Sequence, residues 1–275
     1  QKNVVATIQQ VAKGDLNAQI EAKDNNDEIG PALQRLLSSL KGLMADMNNM
    51  SHQHDLGDID VMIPADKYEG AYRQMAEGIN NMVLGHISVK KKAMACVGEF
   101  GRGNFEAPLE KFPGKKAFIN ETIEQVRVNL KALIADANML SEAAVEGRLG
   151  SRADASKHQG DFRKIVQGVN DTLDAVIGPL NVAANYVDRI AKGDIPPKIT
   201  ESYNGDFNEI KNNLNTCIDV VNALVADANM LAVAAVEGRL GTRADASKHQ
   251  GDYRKIVQGV NDTLDAVIGP LNVAS

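Results

Sequence analysis

The chain has 275 residues, with 30 basic and 36 acidic side chains and a formal net charge of −6. The charge is mixed and forms no basic stripe, which argues against a nucleic-acid partner. Tryptophan is absent and aromatic residues make up only 4% of the chain, a composition that favours bundles of slender helices over one large core. No stretch approaches the ~18 apolar residues of a membrane span and no signal peptide is recognisable, so we expect this segment to be soluble.

Two fifty-residue segments, 134–183 and 225–274, are nearly identical and lie 91 positions apart. A fixed period of this kind indicates an array of repeated structural units. A shorter period lies within it, because a Gly-polar-apolar triplet recurs at intervals of 43, 46, 44, 46 and 45 residues. Six repeats therefore fill the chain, and odd and even repeats form two alternating subtypes. The triplet glycines are Gly14, Gly57, Gly103, Gly147, Gly193 and Gly238.

Each repeat begins with a predicted helix that ends at its triplet glycine. In repeat 1, Val4, Ile8 and Val11 follow the 4-3 spacing of a coiled-coil seam. Gly14 is expected to end the helix, because helices commonly stop at a residue with positive φ, and Asp15 then begins a connector. Several connectors carry prolines, which make helix unfavourable there. The apolar anchors of the connectors are Leu16 and Ile20, Ile59 and Ile63, Phe105 and Leu109, and Ile195 and Ile199.

A second helix follows each connector, and in four repeats an acidic residue stands at its start. A carboxylate in the first turn compensates the unpaired N–H groups and the positive end of the helix dipole. In repeat 4 an apolar stripe runs from Phe162 through Ile165, Val169 and Leu173 to Val176. Each repeat is thus predicted to be helix, extended connector, helix. The acidic residues at the starts are Glu28, Asp161, Asp206 and Asp252.

The junctions between repeats are of two kinds. Residues 119–144 and 210–235 contain neither glycine nor proline, so the second helix of one repeat should continue unbroken into the first helix of the next. Other junctions carry Gly178-Pro179-Leu180 and Gly269-Pro270-Leu271. Because proline is tolerated in the first turn of a helix, we expect a new helix to begin there. A local kink in a continuous helix is the alternative.

The connectors also determine how the helices of one repeat are arranged. At ~3.3 Å per residue, an extended connector can span a helix length, so the two helices can lie parallel. Two striped helices leave their seams exposed, and helical coiled coils most often close by two-fold symmetry. We therefore predict a homodimer with an all-α fold. Parallel four-helix bundles, each built from helix–connector–helix of two chains, are repeated six times and stacked along one axis.

Two repeats carry the motifs of a known signalling module. Repeat 1 contains Val11-Ala12-Lys13-Gly14-Asp15-Leu16 and Asp27-Glu28-Ile29-Gly30. Repeat 5 contains Pro179-Leu180 and Ile190-Ala191-Lys192-Gly193-Asp194-Ile195. These stretches resemble the HAMP domain, the signal-relay module of bacterial chemoreceptors, sensor histidine kinases and some nucleotide cyclases.

The resemblance implies a poly-HAMP segment of a methyl-accepting chemotaxis protein. That segment would be cytoplasmic, or the cytoplasmic part of an inner-membrane receptor. Its implied partners are a second copy of the chain, flanking sensor and output domains, and a chemotaxis kinase and adaptor reached through the output domain. The implied relay residues are the six triplet glycines with Asp15, Glu28, Asp161, Pro179, Asp206 and Asp252. The implied units are residues 1–43, 44–88, 89–133, 134–178, 179–224 and 225–269, with a seventh beginning at 270–275.

Several repeats depart from the family pattern. Only repeat 1 has the full Asp-Glu-Ile-Gly start, whereas repeats 4, 5 and 6 have Gly-Asp-aromatic. Repeat 3 has Pro113-Gly114-Lys115-Lys116, and repeat 2 has Gly70-Ala71-Tyr72 without an acidic residue. A ligand site in repeat 2 is an alternative that rests on these departures alone.

Some residues suggest chemistry that their context does not favour. His52 and His54 point apart on a helix with no Cys or His cluster nearby, which favours a polar helix end over a metal site. His158 and His249 hold the same connector position, where we expect a solvated or connector-capping role. The sulfur-bearing side chains are expected to pack in helices and seams: Cys96, Cys217, Met47, Met50, Met75, Met82, Met139 and Met230.

The predicted function is mechanical signal relay. No set of nucleophile, base and orienting group can be assembled, so we predict no enzyme, cofactor or metal site. The first helices around Ala143 and Ala234 are rich in alanine, and such small side chains favour two packings close in energy, between which each bundle could switch. The alternatives are the HAMP array of a sensor histidine kinase and a rigid dimerisation spacer without switching.

Overall fold

The computed structural model describes residues 2–20 and 27–273. Within these ranges the regular structure consists of α-helices and four short 3-10 turns, so the all-α prediction is confirmed. The helices are α1 (Lys2–Ala12), α2 (Ile29–Asp55), α3 (Gly70–Gly101), α4 (Ala117–Val145), α5 (Gly160–Ala191), α6 (Gly205–Val236) and α7 (Gly251–Val273). The 3-10 turns are Ala65–Lys67, Gly114–Lys116, Ala155–Lys157 and Ala246–Lys248.

Each helix from α2 to α6 serves two repeats. The continuous helices predicted over 119–144 and 210–235 are confirmed in α4 and α6. The new helix expected at Gly178-Pro179 is wrong, because α5 is continuous and contains Pro179. Helix α7 likewise runs through Gly269-Pro270. The six boundaries predicted between repeats therefore all fall inside helices.

The position of Pro179 explains why the helix tolerates it. Proline removes the hydrogen bond to the carbonyl four residues earlier, which here belongs to Ala175. Ala175 is exposed, so water can take over that bond. Ile177, two residues before the proline, is 9% exposed and packs in the core. Packing on the buried side thus keeps α5 intact where the local signal favours a break.

The structure divides into two compact bodies, Gln1–Ala132 and Leu133–Ser275. In both, the buried side chains come from a first helix, a connector and a second helix. The first body has two core clusters, Leu43, Met50, Ile63, Tyr68 and Ala76, and Ala93, Cys96, Phe100, Ala107 and Ile123. The buried apolar residues of the second body are Ala143, Ala153, Val166, Ile177, Ile199, Ile218, Ala234, Ala244, Val257 and Ile268.

The sulfur-bearing residues are only partly where we expected them. Cys96 and Met50 pack in the core, as predicted. Cys217 is exposed, so its predicted burial is wrong for the single chain. Met75 and Met82 are 49% and 59% exposed. They face away from the core of their own chain, and their place in a seam between chains stays a prediction.

Helix α6 corrects the expectation that no segment approaches a membrane span. Among the residues that the structure describes, it is the one helix long and apolar enough to cross a membrane by length and composition. Core helices of soluble bundles pass the same test. Within the chain only 11% of its apolar 18-residue window is buried, although Ile218 and Ala234 are each 1% exposed.

Candidate functional site

One backbone turn begins all six connectors. Each triplet glycine has φ between +74° and +97°, a left-handed conformation that glycine adopts without steric cost. The next residue donates its N–H to the carbonyl five residues before it, as Asp58 does to Gln53 at 2.9 Å. Together these features form a Schellman helix end. The helix stops predicted at Gly14, Gly57, Gly103, Gly147, Gly193 and Gly238 are confirmed.

The polar residue after the glycine shapes the start of the connector in the first three repeats. Asp15 Oδ1 accepts a hydrogen bond from the N–H of Asn17 at 2.9 Å. The equivalent bonds join Asp58 to Asp60 and Asn104 to Glu106. These short-range bonds fix the turn, and any part of Asp15 in signal relay stays a prediction.

Glycines with positive φ also open the second helices, a feature that the sequence analysis missed. Gly70, Gly160, Gly205 and Gly251 begin their helices with φ between +51° and +54°. A glycine immediately before Asp-aromatic or Ala-aromatic was the available signal. Asp161, Asp206 and Asp252 lie in the first turns, as predicted.

Helix α2 begins differently and corrects the assignment of Glu28. No side-chain capping bond comes from Glu28. Asp27 supplies the cap, since its Oδ1 accepts from the N–H groups of Ile29 and Gly30, each at 3.1 Å. The shorter aspartate reaches these two groups as an N-cap acceptor does.

An asparagine ten residues after the opening glycine holds the connector in repeats 2, 4, 5 and 6. Asn170 Oδ1 accepts from the N–H of Ala153 at 3.1 Å, and its amide donates to the carbonyl of the same residue at 2.8 Å. Asn170 is 8% exposed and Ala153 5%, so one side chain satisfies two buried backbone groups. We call these pairs the asparagine clamps: Asn80–Ile63, Asn170–Ala153, Asn215–Ile199 and Asn261–Ala244.

In the even-numbered repeats a second polar contact joins the connector to the first helix. The Nε2 of His158 lies 2.6 Å from Oδ2 of Asp136 on α4. His158 is 5% exposed, so a solvated role is wrong, whereas the connector-capping role is confirmed because its N–H closes the turn at Ala155. We call the three contacts the latch pairs: Tyr68–Asp46, His158–Asp136 and His249–Asp227.

A serine steadies the turn before each histidine latch. The N–H and hydroxyl of Ser156 donate to Asp154 Oδ1 at 3.0 and 2.6 Å. These bonds, with that of the hydroxyl strongest, lower the pKa of the Asp154 carboxyl. Ser247 does the same for Asp245. Because the pKa of each carboxyl is lowered, it stays ionised to a lower pH than a free aspartate would.

Tyr68 allows a direct test of the latch in repeat 2. Burial, followed by the hydrogen bond to Asp46, raises the pKa of Tyr68 to about 12. Because folding raises this pKa, the stabilisation by Tyr68 is complete below about pH 10 and is lost as the pH rises through about 12. We expect ultraviolet titrations of the parent and Tyr68→Phe to differ by one phenolate that forms near pH 12. A difference centred near pH 10 would contradict the latch.

In repeat 3 a buried arginine holds the first part of the connector, and Asn120 bonds the N–H of Phe112 and the carbonyl of Glu110 further along it. The side chain of Arg127 is 12% exposed, and its guanidinium carbon lies 4.8 Å from the ring centre of Phe100. The guanidinium donates to the carbonyls of Phe105 and Ala107, the latter at 2.7 Å. Arg127 thus binds the repeat 3 connector at two carbonyls and packs on Phe100 of α3, and no glycine–asparagine spacing in the sequence indicates it.

Much of the seam predicted for repeat 4 is exposed in the single chain. In repeat 4, Ile165 and Val169 are 50% and 43% exposed, whereas Val166 is 3% exposed. The stripe predicted from the sequence is therefore separate from the face that packs within the chain. In repeat 3 the exposed apolar side chains form a groove between α3 and α4. Its lining includes Met94, Val97, Phe105, Phe118, Val126 and Leu130.

Other candidate residues have structural partners. The Nε2 of His54 lies 2.8 Å from the carbonyl oxygen of Val61 in the connector, so this histidine ties the helix end to its own connector. Across residues 2–20 and 27–273, no group of three or more His, Cys, Asp or Glu side chains could hold a metal ion.

Models of one domain family match most of these elements. HAMP domain models match residues 2–36, and 157–223 with 248–275. A model described as HAMP N-terminal domain 3 matches residues 89–131. A model of the second HAMP domain of methyl-accepting chemotaxis protein McpB matches residues 37–84. The chain is an array of HAMP domains. The helix–connector–helix architecture agrees with this family, and the resemblance drawn from the sequence is confirmed.

A curated relative has a similar segment. The methyl-accepting chemotaxis protein McpB of Pseudomonas aeruginosa is 41% identical to the HAMP array over 119 residues. The match covers 43% of this chain and 18% of that protein. The chain therefore spans a small part of the relative, and the similarity concerns that part.

Proposed function

We propose that the HAMP array is a signal-relay segment of a methyl-accepting chemotaxis receptor. The observation that carries this proposal is that one helix contributes to two neighbouring joints. In α6, Asn215 clamps the connector of repeat 5, and Asp227 latches the connector of repeat 6. A rotation or shift of α6 that disturbs one joint must therefore disturb the other. This is the coupling that a relay requires.

The relay acts as a homodimer. Exposed apolar side chains such as Ile165 and Val169 follow the spacing of a coiled-coil seam, and the described part of the chain leaves them uncovered. A second copy would cover them by forming a parallel four-helix bundle in each repeat. Small buried residues such as Ala143 and Ala234, each 1% exposed, let the first helices approach closely.

The likeness to McpB supports the receptor context of this proposal. A sensor domain would supply the stimulus, and an output domain of the same chain would pass it to a chemotaxis kinase and adaptor. We place the segment in the cytoplasm, and Asp15, Pro179 and the triplet glycines act as its hinges. In this scheme the array is not an enzyme, and alternate repeats convert the signal from one packing to the other.

The dimer is tested by mass. The chain weighs 29.5 kDa, and we expect light scattering to give twice that value over a wide range of concentrations. A second sample carries charged residues at several exposed seam positions, including Ile165→Lys and Val169→Lys, and is expected to dissociate more readily. A parent that stays at 29.5 kDa at every concentration would rule out the proposed bundle.

The relay itself is tested in an intact receptor. Single cysteines replace Val11 and Ile165 in a background without Cys96 and Cys217, and crosslinking between chains is compared with and without stimulus. We expect both yields to change. A receptor in which an unrelated two-stranded coiled coil of equal length replaces the array serves as control. If that receptor signals fully, or if neither crosslink responds, the array is a spacer.

A further inference from the structure

The latch pairs are placed symmetrically about the triplet glycine of the even repeats. The aspartate lies eleven residues before the glycine and the histidine or tyrosine eleven residues after it, as in Asp136, Gly147 and His158. We propose that these pairs fix the rotational register of the first helix in repeats 2, 4 and 6. We further infer that the missing latch leaves this register free to change in repeats 3 and 5, the odd repeats whose connectors the structure describes throughout.

The chemistry of the pair makes it selective for one geometry. The side chain of His158 is 3% exposed and that of Asp136 is 25% exposed. A hydrogen bond to a carboxylate is about twice as strong as a hydrogen bond between two neutral groups. If the pair separates, a buried imidazole loses its partner, and an orphaned buried polar group is costly. The bond is therefore kept only where the helix presents Asp136 directly to the connector.

A small rotation is enough to break the pair. Side-chain atoms lie about 5–6 Å from the helix axis, so a rotation of about 20° moves them by about 2 Å. A displacement of that size along the bond would take the Nε2–Oδ2 separation from 2.6 Å to beyond the hydrogen-bond range. The connector cannot follow the helix freely, because Asn170 anchors Ala153 to α5. First helix, latch, connector and clamp thus form one closed set of contacts.

The odd repeats lack the carboxylate at the same helix position. Eleven residues before Gly193 stands Val182, and eleven before Gly103 stands Lys92. Lys92 forms an exposed ion pair with Glu110 at 2.6 Å, a kind of contact that stabilises little. In repeat 5, Val182 and Tyr203 line the same cavity. That joint is apolar, and an apolar contact tolerates rotation better than a hydrogen bond does.

The first test removes a latch without leaving a buried orphan. The double variant Asp136→Leu with His158→Phe replaces both polar partners by apolar ones. Spin labels at Asn138 and Ala175, both exposed, report the distance between α4 and α5. Cys96 and Cys217 are replaced, and excess unlabelled chain limits each dimer to one labelled copy. We expect a narrow distribution in the parent, and one shifted or broadened by about 2 Å in the double variant.

The second test adds a latch to repeat 5. Val182→Asp places a carboxylate beside Tyr203, and we expect the distance distribution between labels at Asn185 and Asn213 to narrow. The matched control combines Val182→Asp with Tyr203→Phe, which removes the donor and should restore the parental width. An unchanged distribution after Val182→Asp, or an unchanged one in the repeat 4 double variant, would overturn the proposal.

The consequence for signalling rests on the proposed relay function, but the register does not. The distances are measured on this chain alone, without a receptor or stimulus. If these tests contradict the latch, the proposed relay is unaffected. If the receptor experiment contradicts the relay, the proposed latch is unaffected. If both hold, the even repeats have one preferred register, and repeats 3 and 5 are those that move.

Discussion

Replacing Asn170 with alanine is expected to lower the free energy of unfolding by about 2–4 kcal/mol. The substitution leaves the N–H and the carbonyl of Ala153 without their partner, and each buried orphan costs about 1–3 kcal/mol. Ala153 is 5% exposed, so water reaches these groups poorly. The loss is measured by urea unfolding at one fixed chain concentration, with linear extrapolation to water.

Two further variants show whether the loss comes from the clamp. Asn185 lies on the same helix and is exposed, so Asn185→Ala should change the free energy of unfolding by no more than about 0.5 kcal/mol. Asn261 holds Ala244 with bond lengths equal to those of Asn170, 3.1 and 2.8 Å, and Asn261→Ala should reproduce the loss. If Asn170→Ala behaves like Asn185→Ala, the clamp does not stabilise the repeat.

The clamp also marks the limit of what the sequence could predict. The helix ends at the triplet glycines were predictable, because a Schellman end is determined by about six consecutive residues around one glycine. The asparagine in Val166-Gln167-Gly168-Val169-Asn170 has no such local mark. On a helix it resembles a solvent-facing polar residue, and its partner Ala153 lies 17 positions away. Only the path of the connector brings the two together.

The latch pairs were not predicted from the sequence, for a related reason. The recurrence of His158 as His249 is visible in the sequence. Each histidine lies in a connector, however, and its aspartate lies 22 residues earlier in the preceding helix. Aspartate in a helix commonly faces water. The available signal was positional, since Asp46, Asp136 and Asp227 all stand eleven residues before a triplet glycine. Comparing repeats at equal distance from that glycine would have found them.

At Pro179 the error is of the opposite kind, because a strong local signal predicts a helix end that the structure does not have. Gly178-Pro179 reads as a helix boundary, and an interior proline costs about 3 kcal/mol. Burial of apolar side chains of the same helix, Val166 at 3% and Ile177 at 9% exposed, stabilises the continuous helix. Tertiary packing therefore outweighs the local preference, and the shared helix that the relay requires is preserved at this junction too.

Replacing Arg127 with alanine is expected to lower the free energy of unfolding by about 3–5 kcal/mol. The variant loses hydrogen bonds from a charged donor to two carbonyls, which are worth about 1.5–3 kcal/mol each, and the contact with Phe100. The connector of repeat 3 has a second tie, because Asn120 bonds the N–H of Phe112 at 2.9 Å. We therefore expect a large but not complete loss, measured by urea unfolding as for Asn170.

Lysine and a surface arginine separate charge from geometry at this position. Arg127→Lys keeps the positive charge but cannot present two donors in a planar fork, so it should recover less than half of the loss. Arg102, whose side chain is 75% exposed, pairs with Glu99, and Arg102→Ala should cost at most about 1 kcal/mol. Full recovery by lysine would mean that Arg127 acts only as a charge. Partial recovery would mean that its fork of donors holds Phe105 and Ala107, and that repeat 3 keeps its connector in place by a device unlike those of its neighbours.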